Sequence, residues 1–128
     1  MTNGEYFKKR AQLMAPILIK ALENRQFEAY YCDTAQQAVE KAIALIPQGA
    51  SVSWGGSETL RQIGLLEAVK QGSYVAYDRD AVDSLAERKQ VMRQAFQCEY
   101  YLTGTNALTE DGQLVNMDGG GNRVAALT

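Results

Sequence analysis

The sequence predicts an α/β fold with a mainly parallel sheet in a single domain. Helical and strand-like segments alternate along the whole chain, an order typical of right-handed β-α-β crossovers. The 128 residues are close to one domain length, and 46% hydrophobic with 22% charged residues is the composition of a globular protein with a real core. No repeat, low-complexity run or linker-like stretch interrupts the alternation.

The first predicted elements are a long helix and a short strand. Residues 3–24 place four apolar side chains on or near one helical stripe: Phe7, Met14, Leu18 and Leu22. Phe27, Ala29 and Tyr31 then alternate at period two, which is the pattern of a strand. The apolar run within the helix is too short for a signal peptide or a membrane span, so we expect no membrane association.

A second helix, a second strand and a divided helix follow in the prediction. Thr34 and Gln37 have the spacing of a capping box, which opens a helix that the turn at 47–49 ends. A strand over 51–54 leads into another helix. Gly64 interrupts this helix as a left-handed helix end, and the helix resumes as far as residue 71.

The remaining segments predict two strands, a helix and a hairpin. The strands cover 74–77 and 100–103, and an amphipathic helix over 82–97 separates them. A hairpin turns at Asp111-Gly112. The final apolar segment, 124–127, has no following element to cover it. We therefore expect a second copy of the chain to cover it in a homodimer, unless the sequence is a shortened form of a larger domain.

Composition argues against several functional classes. The chain has no histidine, so it lacks a Ser-His-Asp or Cys-His catalytic unit and histidine metal ligands. Cys32 and Cys98 are too few for an iron–sulfur cluster or a structural zinc, so we predict no bound metal or cofactor and interpret both as small core residues. The net charge of -2 lacks the basic surface that nucleic-acid binding needs, and the few cysteines favour the cytoplasm.

The first candidate binding element is the turn Gly55-Gly56-Ser57, between a predicted strand and a predicted helix. Glycines let a ligand approach the backbone, and a helix start favours negative charge, so this turn and Thr59 are candidates for binding an anion. The spacing matches neither a Walker A loop nor a dinucleotide fingerprint. The structural alternative is a tight strand–helix turn in which Ser57 is simply the N-cap.

The second candidate is the glycine-rich stretch after the last parallel strand. Because loops after parallel strands meet at one sheet edge, we predict that both candidates line one pocket. Asp118 is the candidate general acid or base, and Arg123 the candidate clamp for a carboxylate or phosphate. The alternative is a flexible turn in which Asp118 is a cap or turn residue. The candidate residues here are Gly104, Thr105, Asn106, Asp118, Gly119, Gly120, Gly121, Asn122 and Arg123.

Both stretches resemble the lactate-utilisation (LUD) domain family. Residues 53–65, 101–112 and 114–126 carry the resemblance, which follows the element order over nearly the whole chain. The family more often has threonine where Gly120 stands. The resemblance implies one LUD-like domain over 1–128 with a three-layer α/β/α arrangement. This fold is similar to those of CoA transferases, ribose-5-phosphate isomerase and glucosamine-6-phosphate deaminase, here incomplete at the C-terminus.

The resemblance implies three alternative functions. The first is a role in organic-acid (lactate) utilisation, with a small anionic metabolite bound at the glycine-rich loops. The second is a non-catalytic assembly subunit that docks to iron–sulfur partner proteins of a lactate-oxidising complex. The third is a sugar-phosphate isomerase or CoA-transferase-like enzyme. It is weakened because Asn106 stands where the related isomerases carry a catalytic aspartate, and an amide does not take up a proton as a carboxylate does.

Overall fold

The computed structural model describes residues 2–116. In chain order, the elements are α1 (Asn3–Asn24), α2 (Ala35–Leu45), β1 (Ser51–Trp54), α3 (Glu58–Gln62), α4 (Leu65–Gln71), β2 (Val75–Tyr77), α5 (Leu85–Ala95), β3 (Tyr100–Leu102), β4 (Ala107–Leu108) and β5 (Leu114–Val115). The described residues divide into two compact units, one formed by 2–38 with 105–116 and the other by 39–104.

Local capping signals place several helix starts where the sequence predicts them. The Thr2 side chain accepts a hydrogen bond from the Glu5 N–H, and the Glu5 carboxylate accepts one from the Thr2 N–H, so a full capping box opens α1. At α2 the Gln37 N–H donates to Thr34 Oγ1 over 3.1 Å, as predicted. The second hydrogen bond of a capping box would run from the Thr34 N–H to the Gln37 side chain. Here the Gln37 side chain accepts from the N–H of Asp33 instead.

Two predicted features of the chain are wrong. Residues 27–31 form no strand. Phe27, Tyr30 and Tyr31 are 46%, 50% and 39% exposed, and no other described segment pairs with theirs, so neither hydrogen bonding nor burial supports an extended ladder. Helix α5 begins at residue 85 rather than 82, because the Ser84 side chain caps it by accepting from the Glu87 N–H. Phe7 lines one surface pocket together with Met14 and Leu18, so these three residues share a face of α1 as predicted, although Phe7 is 62% exposed.

The unit formed by 39–104 contains a three-stranded parallel sheet in the order β2-β1-β3. Val52 of β1 lies opposite Ala76 on one side and Tyr100 on the other. Val52 and Trp54 belong to a buried cluster with residues of α3, of α4 and of the segment between α2 and β1: Ile46, Ala50, Leu60, Leu65, Leu66 and Val69. The α/β class with a parallel sheet is therefore confirmed, while the three-layer arrangement stays a prediction.

Strand order creates a point where the direction of winding reverses. The chain leaves β1 through α3 and α4 to reach β2, then passes through α5 to β3 on the opposite side of β1. The loops that follow β1 and β3 therefore leave the same sheet edge in neighbouring positions. Open α/β sheets bind ligands outside the carboxyl ends of their strands at such a reversal.

The unit formed by 2–38 and 105–116 contains α1 and the predicted hairpin, which is confirmed. Strands β4 and β5 pair antiparallel, with Leu108 opposite Leu114. The turn passes through Gly112 at φ +85°, and a Cβ atom there would lie 2.9 Å from the backbone carbonyl carbon of Ala21. Arg25 at the end of α1 donates from Nε to the carbonyl of Asp111 over 2.9 Å. Close packing and this hydrogen bond together hold the turn against α1.

Among residues 2–116, no helix is long and apolar enough to cross a membrane. The predicted homodimer contact at 124–127 lies outside the described residues.

Candidate functional site

The turn Gly55-Gly56-Ser57 leaves the carboxyl end of β1. Ser57 is the N-cap of α3, since its Oγ accepts a hydrogen bond from the Leu60 N–H over 3.4 Å. The Gly55 N–H donates to the Leu102 carbonyl of β3, and the Ser57 N–H donates to the Gly55 carbonyl. These two amides are therefore used inside the protein, and Ser57 is an N-cap, as the structural alternative predicted. An anion at this turn needs donors other than these two amides, and the ligand-binding role of the turn stays a prediction.

The glycines of this region make room for side chains. A Cβ atom at Gly55 would lie 2.8 Å from the hydroxyl oxygen of Tyr101, and one at Gly56 would lie 3.1 Å from a guanidinium nitrogen of Arg79. A Cβ atom at Gly104 would lie 2.9 Å from Ser57 Oγ. Because these three positions are glycine, the side chains of Tyr101, Arg79 and Ser57 can lie close to the turn.

Arg79 brings a positive charge to this turn. It lies in a 3-10 turn just after β2 and is half-buried. Its neighbours in sequence are already paired: Asp78 with Lys70 at 3.1 Å, and Asp80 with Arg61 at 3.8 Å. Within the described part of the chain, Arg79 itself takes part in no ion pair. Its charge is therefore not balanced by a described carboxylate.

A small cavity lies beside Arg79, between the sheet and α5. Its volume is about 20 Å³, and Ser53, Tyr77, Arg79 and Tyr101 line it together with apolar residues of α5. Ser53 is 2% exposed and donates its hydroxyl proton to the Tyr77 carbonyl over 3.0 Å. The buried Ser53 hydroxyl is thus satisfied by a backbone carbonyl of β2.

Only part of the second predicted stretch lies beside the turn formed by residues 55–57. Gly104 follows β3 and contacts the first turn through Ser57. Thr105 and Asn106 belong to the hairpin unit, where Thr105 Oγ1 and the Asn106 N–H both donate to the Val115 carbonyl over 3.1 Å. Thr59 is an exposed residue of α3. The remaining candidates lie outside the described residues and stay predictions: Asp118, Gly119, Gly120, Gly121, Asn122 and Arg123.

Sequence reasoning missed Arg79 and Tyr101 as members of this region. Arg79 follows β2 by two residues, so the sheet-edge argument that selected 55–57 applies to it equally. Tyr101 lies in the predicted strand over 100–103. It is half-buried, and its hydroxyl end lies against Gly55. Position after a predicted parallel strand was the signal that would have found Arg79.

Cys98 is packed near the start of β3 and is not activated as a nucleophile. Its Sγ donates to the Tyr100 carbonyl over 3.2 Å. Burial raises the pKa of this thiol above its ordinary value, which favours the neutral form. Cys98 and Cys32 are nevertheless only partly buried and lie outside the buried cluster, so the prediction that both are core residues is wrong.

Comparison with known proteins gives one match. The family model described as LUD domain matches residues 15–128, well over half of the chain. The matched range includes every candidate residue named above. Neither the curated proteins nor the solved structures contained a significant match.

Proposed function

The chain belongs to the LUD domain family, which indicates a role related to lactate utilisation, and from this premise we propose that it binds a small anionic metabolite. The proposed site is the carboxyl edge of the parallel sheet, where residues 55–57 after β1, Arg79 after β2 and Gly104 after β3 are found. The metabolite is an intermediate of organic-acid utilisation.

The observation that carries this proposal is that the Arg79 guanidinium group lies beside Gly56 and forms no ion pair with any carboxylate among residues 2–116. A guanidinium group donates two parallel hydrogen bonds to a carboxylate or phosphate, and such charge-assisted bonds are about twice as strong as neutral ones. Because Arg79 is half-buried, water solvates its guanidinium group only in part. An anion bound there supplies the hydrogen bonds that water does not. Ser57 Oγ and the Tyr101 hydroxyl supply polar groups around the same turn.

Replacing Arg79 tests the proposal. Arg79→Gln keeps a long polar side chain but removes the charge, and Arg93→Gln makes the same change on the exposed surface of α5 as a matched control. Charge-assisted bonds contribute about 1.5–3 kcal/mol, so we expect the affinity for lactate, acetate or phosphate to fall roughly 10- to 150-fold in Arg79→Gln alone.

Isothermal titration calorimetry at constant ionic strength measures these affinities, and circular dichroism checks that both variants fold. Equal affinities for the natural chain and Arg79→Gln contradict the proposal. So does an equal loss in Arg93→Gln, because that result indicates a general charge effect rather than a site.

A further inference from the structure

The cavity beside Arg79 has a polar wall and an apolar wall. Ser53, at the centre of the middle strand, is a small residue where buried parallel strands usually carry branched apolar side chains, and this leaves space on the α5 side of the sheet. Val91, Met92 and Ala95 of α5 form the opposite wall. None of the residues of α5 is fully buried, so this apolar helix face remains incompletely covered.

The size of the cavity limits what it holds. A volume of about 20 Å³ corresponds to little more than one water-sized group. A water there finds no hydrogen-bond partner on the side of Val91, Met92 and Ala95, whereas a methyl or methylene group is favoured by that wall. The space therefore suits one or two carbon atoms.

We propose that this cavity receives the alkyl group of a short-chain monocarboxylate whose carboxylate is bound by Arg79. The inference rests on the proposed function, and it names the ligand class: acids with one or two carbon atoms beyond the carboxylate carbon. Arg79 both contacts the glycine turn and lines the cavity, so one small molecule reaches both. Met92 and Ala95 then determine specificity through the length of chain that they admit.

A homologous series of unbranched acids measures the size limit with the full chain. Burying one methylene group strengthens binding about fourfold, so propionate is expected to bind about four times more tightly than acetate. Hexanoate, which does not fit, is expected to bind more weakly than propionate. Calorimetric titration of acetate, propionate, butyrate and hexanoate, with inorganic phosphate as the non-alkyl anion, gives the full set of affinities.

Two variants change the cavity in opposite directions. Met92→Ala enlarges it and is expected to move the tightest binding to butyrate or hexanoate. Ala95→Leu fills it and is expected to weaken both propionate and acetate at least fourfold while leaving phosphate, which has no alkyl group, within twofold. Gln94→Leu, which adds the same side chain at the exposed neighbouring position, is the matched control and is expected to leave the whole series unchanged. Circular dichroism establishes folding, and Met92→Ala keeps the test decisive if Ala95→Leu does not fold.

The outcomes separate this inference from the proposed function. Affinity that rises steadily from acetate to hexanoate, or an order of affinities that is the same in Met92→Ala, overturns the alkyl cavity but leaves anion binding intact. Binding of phosphate without binding of any of the acids does the same. Failure of every anion to bind overturns both.

Discussion

Replacing Gly104 by alanine tests directly whether the loops after β1 and β3 meet. An added Cβ atom at this position would lie 2.9 Å from Ser57 Oγ but 3.7 Å from Ser57 Cβ. The first distance forces the hydroxyl to move, whereas the second is ordinary van der Waals contact. Gly104 does not have a positive φ angle, so alanine adds no backbone strain there. The stability lost in Gly104→Ala therefore comes entirely from displacing the Ser57 hydroxyl, which breaks its hydrogen bond with the Leu60 N–H.

The geometry fixes the expected free energies of unfolding. Ser57→Ala removes an N-cap and costs about 1 kcal/mol. Gly104→Ala loses the same cap by displacing the hydroxyl, but it gains about 0.4–1 kcal/mol from reduced entropy of the unfolded chain, so its net effect is near zero. In the Ser57→Ala background only the gain remains. The two substitutions are therefore coupled by about 1 kcal/mol.

Urea unfolding of the natural chain, both single variants and the double variant measures this coupling. The fluorescence of Trp54 reports the transition, since it is the chain's single tryptophan and is 7% exposed within the core. Distant substitutions add to within about 0.3–0.5 kcal/mol. Additivity within that margin would show that Gly104 does not approach Ser57, and the sheet-edge geometry of the candidate site would then be wrong.

Two further predictions concern the hairpin. Gly112→Ala places an alanine in the left-handed region, which costs about 1–2 kcal/mol, and its Cβ contacts the backbone of Ala21, which costs about 1–3 kcal/mol more. Gly49→Ala is the control, because Gly49 has φ +82° but open space around its Cβ, so only the first cost applies. Urea unfolding measures both free energies, and equal losses of stability would contradict the packing of Gly112 on Ala21. A hydrogen bond from Thr109 lowers the pKa of the Asp111 carboxyl, so its stabilising contribution is present above about pH 4 and disappears as the pH falls through the lowered pKa. The protection factors of the β4 and β5 amides, corrected for the slower intrinsic exchange at low pH, should therefore fall on acidification in the natural chain but not in Asp111→Asn. The same fall in both would refute this role.

Prediction from the sequence was accurate where local signals decide the structure. The bounds of α1 and β1, the division of a helix at Gly64 and the hairpin at Asp111-Gly112 all follow from capping residues, glycine conformation and turn preferences that act within a few residues. The predicted strand over 27–31 failed because a strand requires a hydrogen-bonding neighbour, and period-two apolar spacing carries no information about one.

Part of the candidate site was also accessible from the sequence. The sheet-edge rule selected 55–57 and the stretch after β3, and Gly104 does lie against Ser57. The glycines were predicted to let a ligand approach the backbone, and this role stays a prediction. In the structure the Gly55 and Ser57 amides bond within the protein, and Gly55 and Gly56 accommodate Tyr101 and Arg79.

The sequence by itself determined most of the element types, the parallel α/β class and the position of the loops at the carboxyl ends of strands, because hydrophobic period, capping and chain connectivity are local properties. Only the tertiary structure decided that β1 lies between β2 and β3. That order brings Arg79 from one neighbouring strand and Tyr101 from the other to the same glycine turn, and it leaves a cavity where Ser53 faces α5. Contacts between residues more than twenty positions apart depend on strand order and close packing, which no short stretch of sequence encodes.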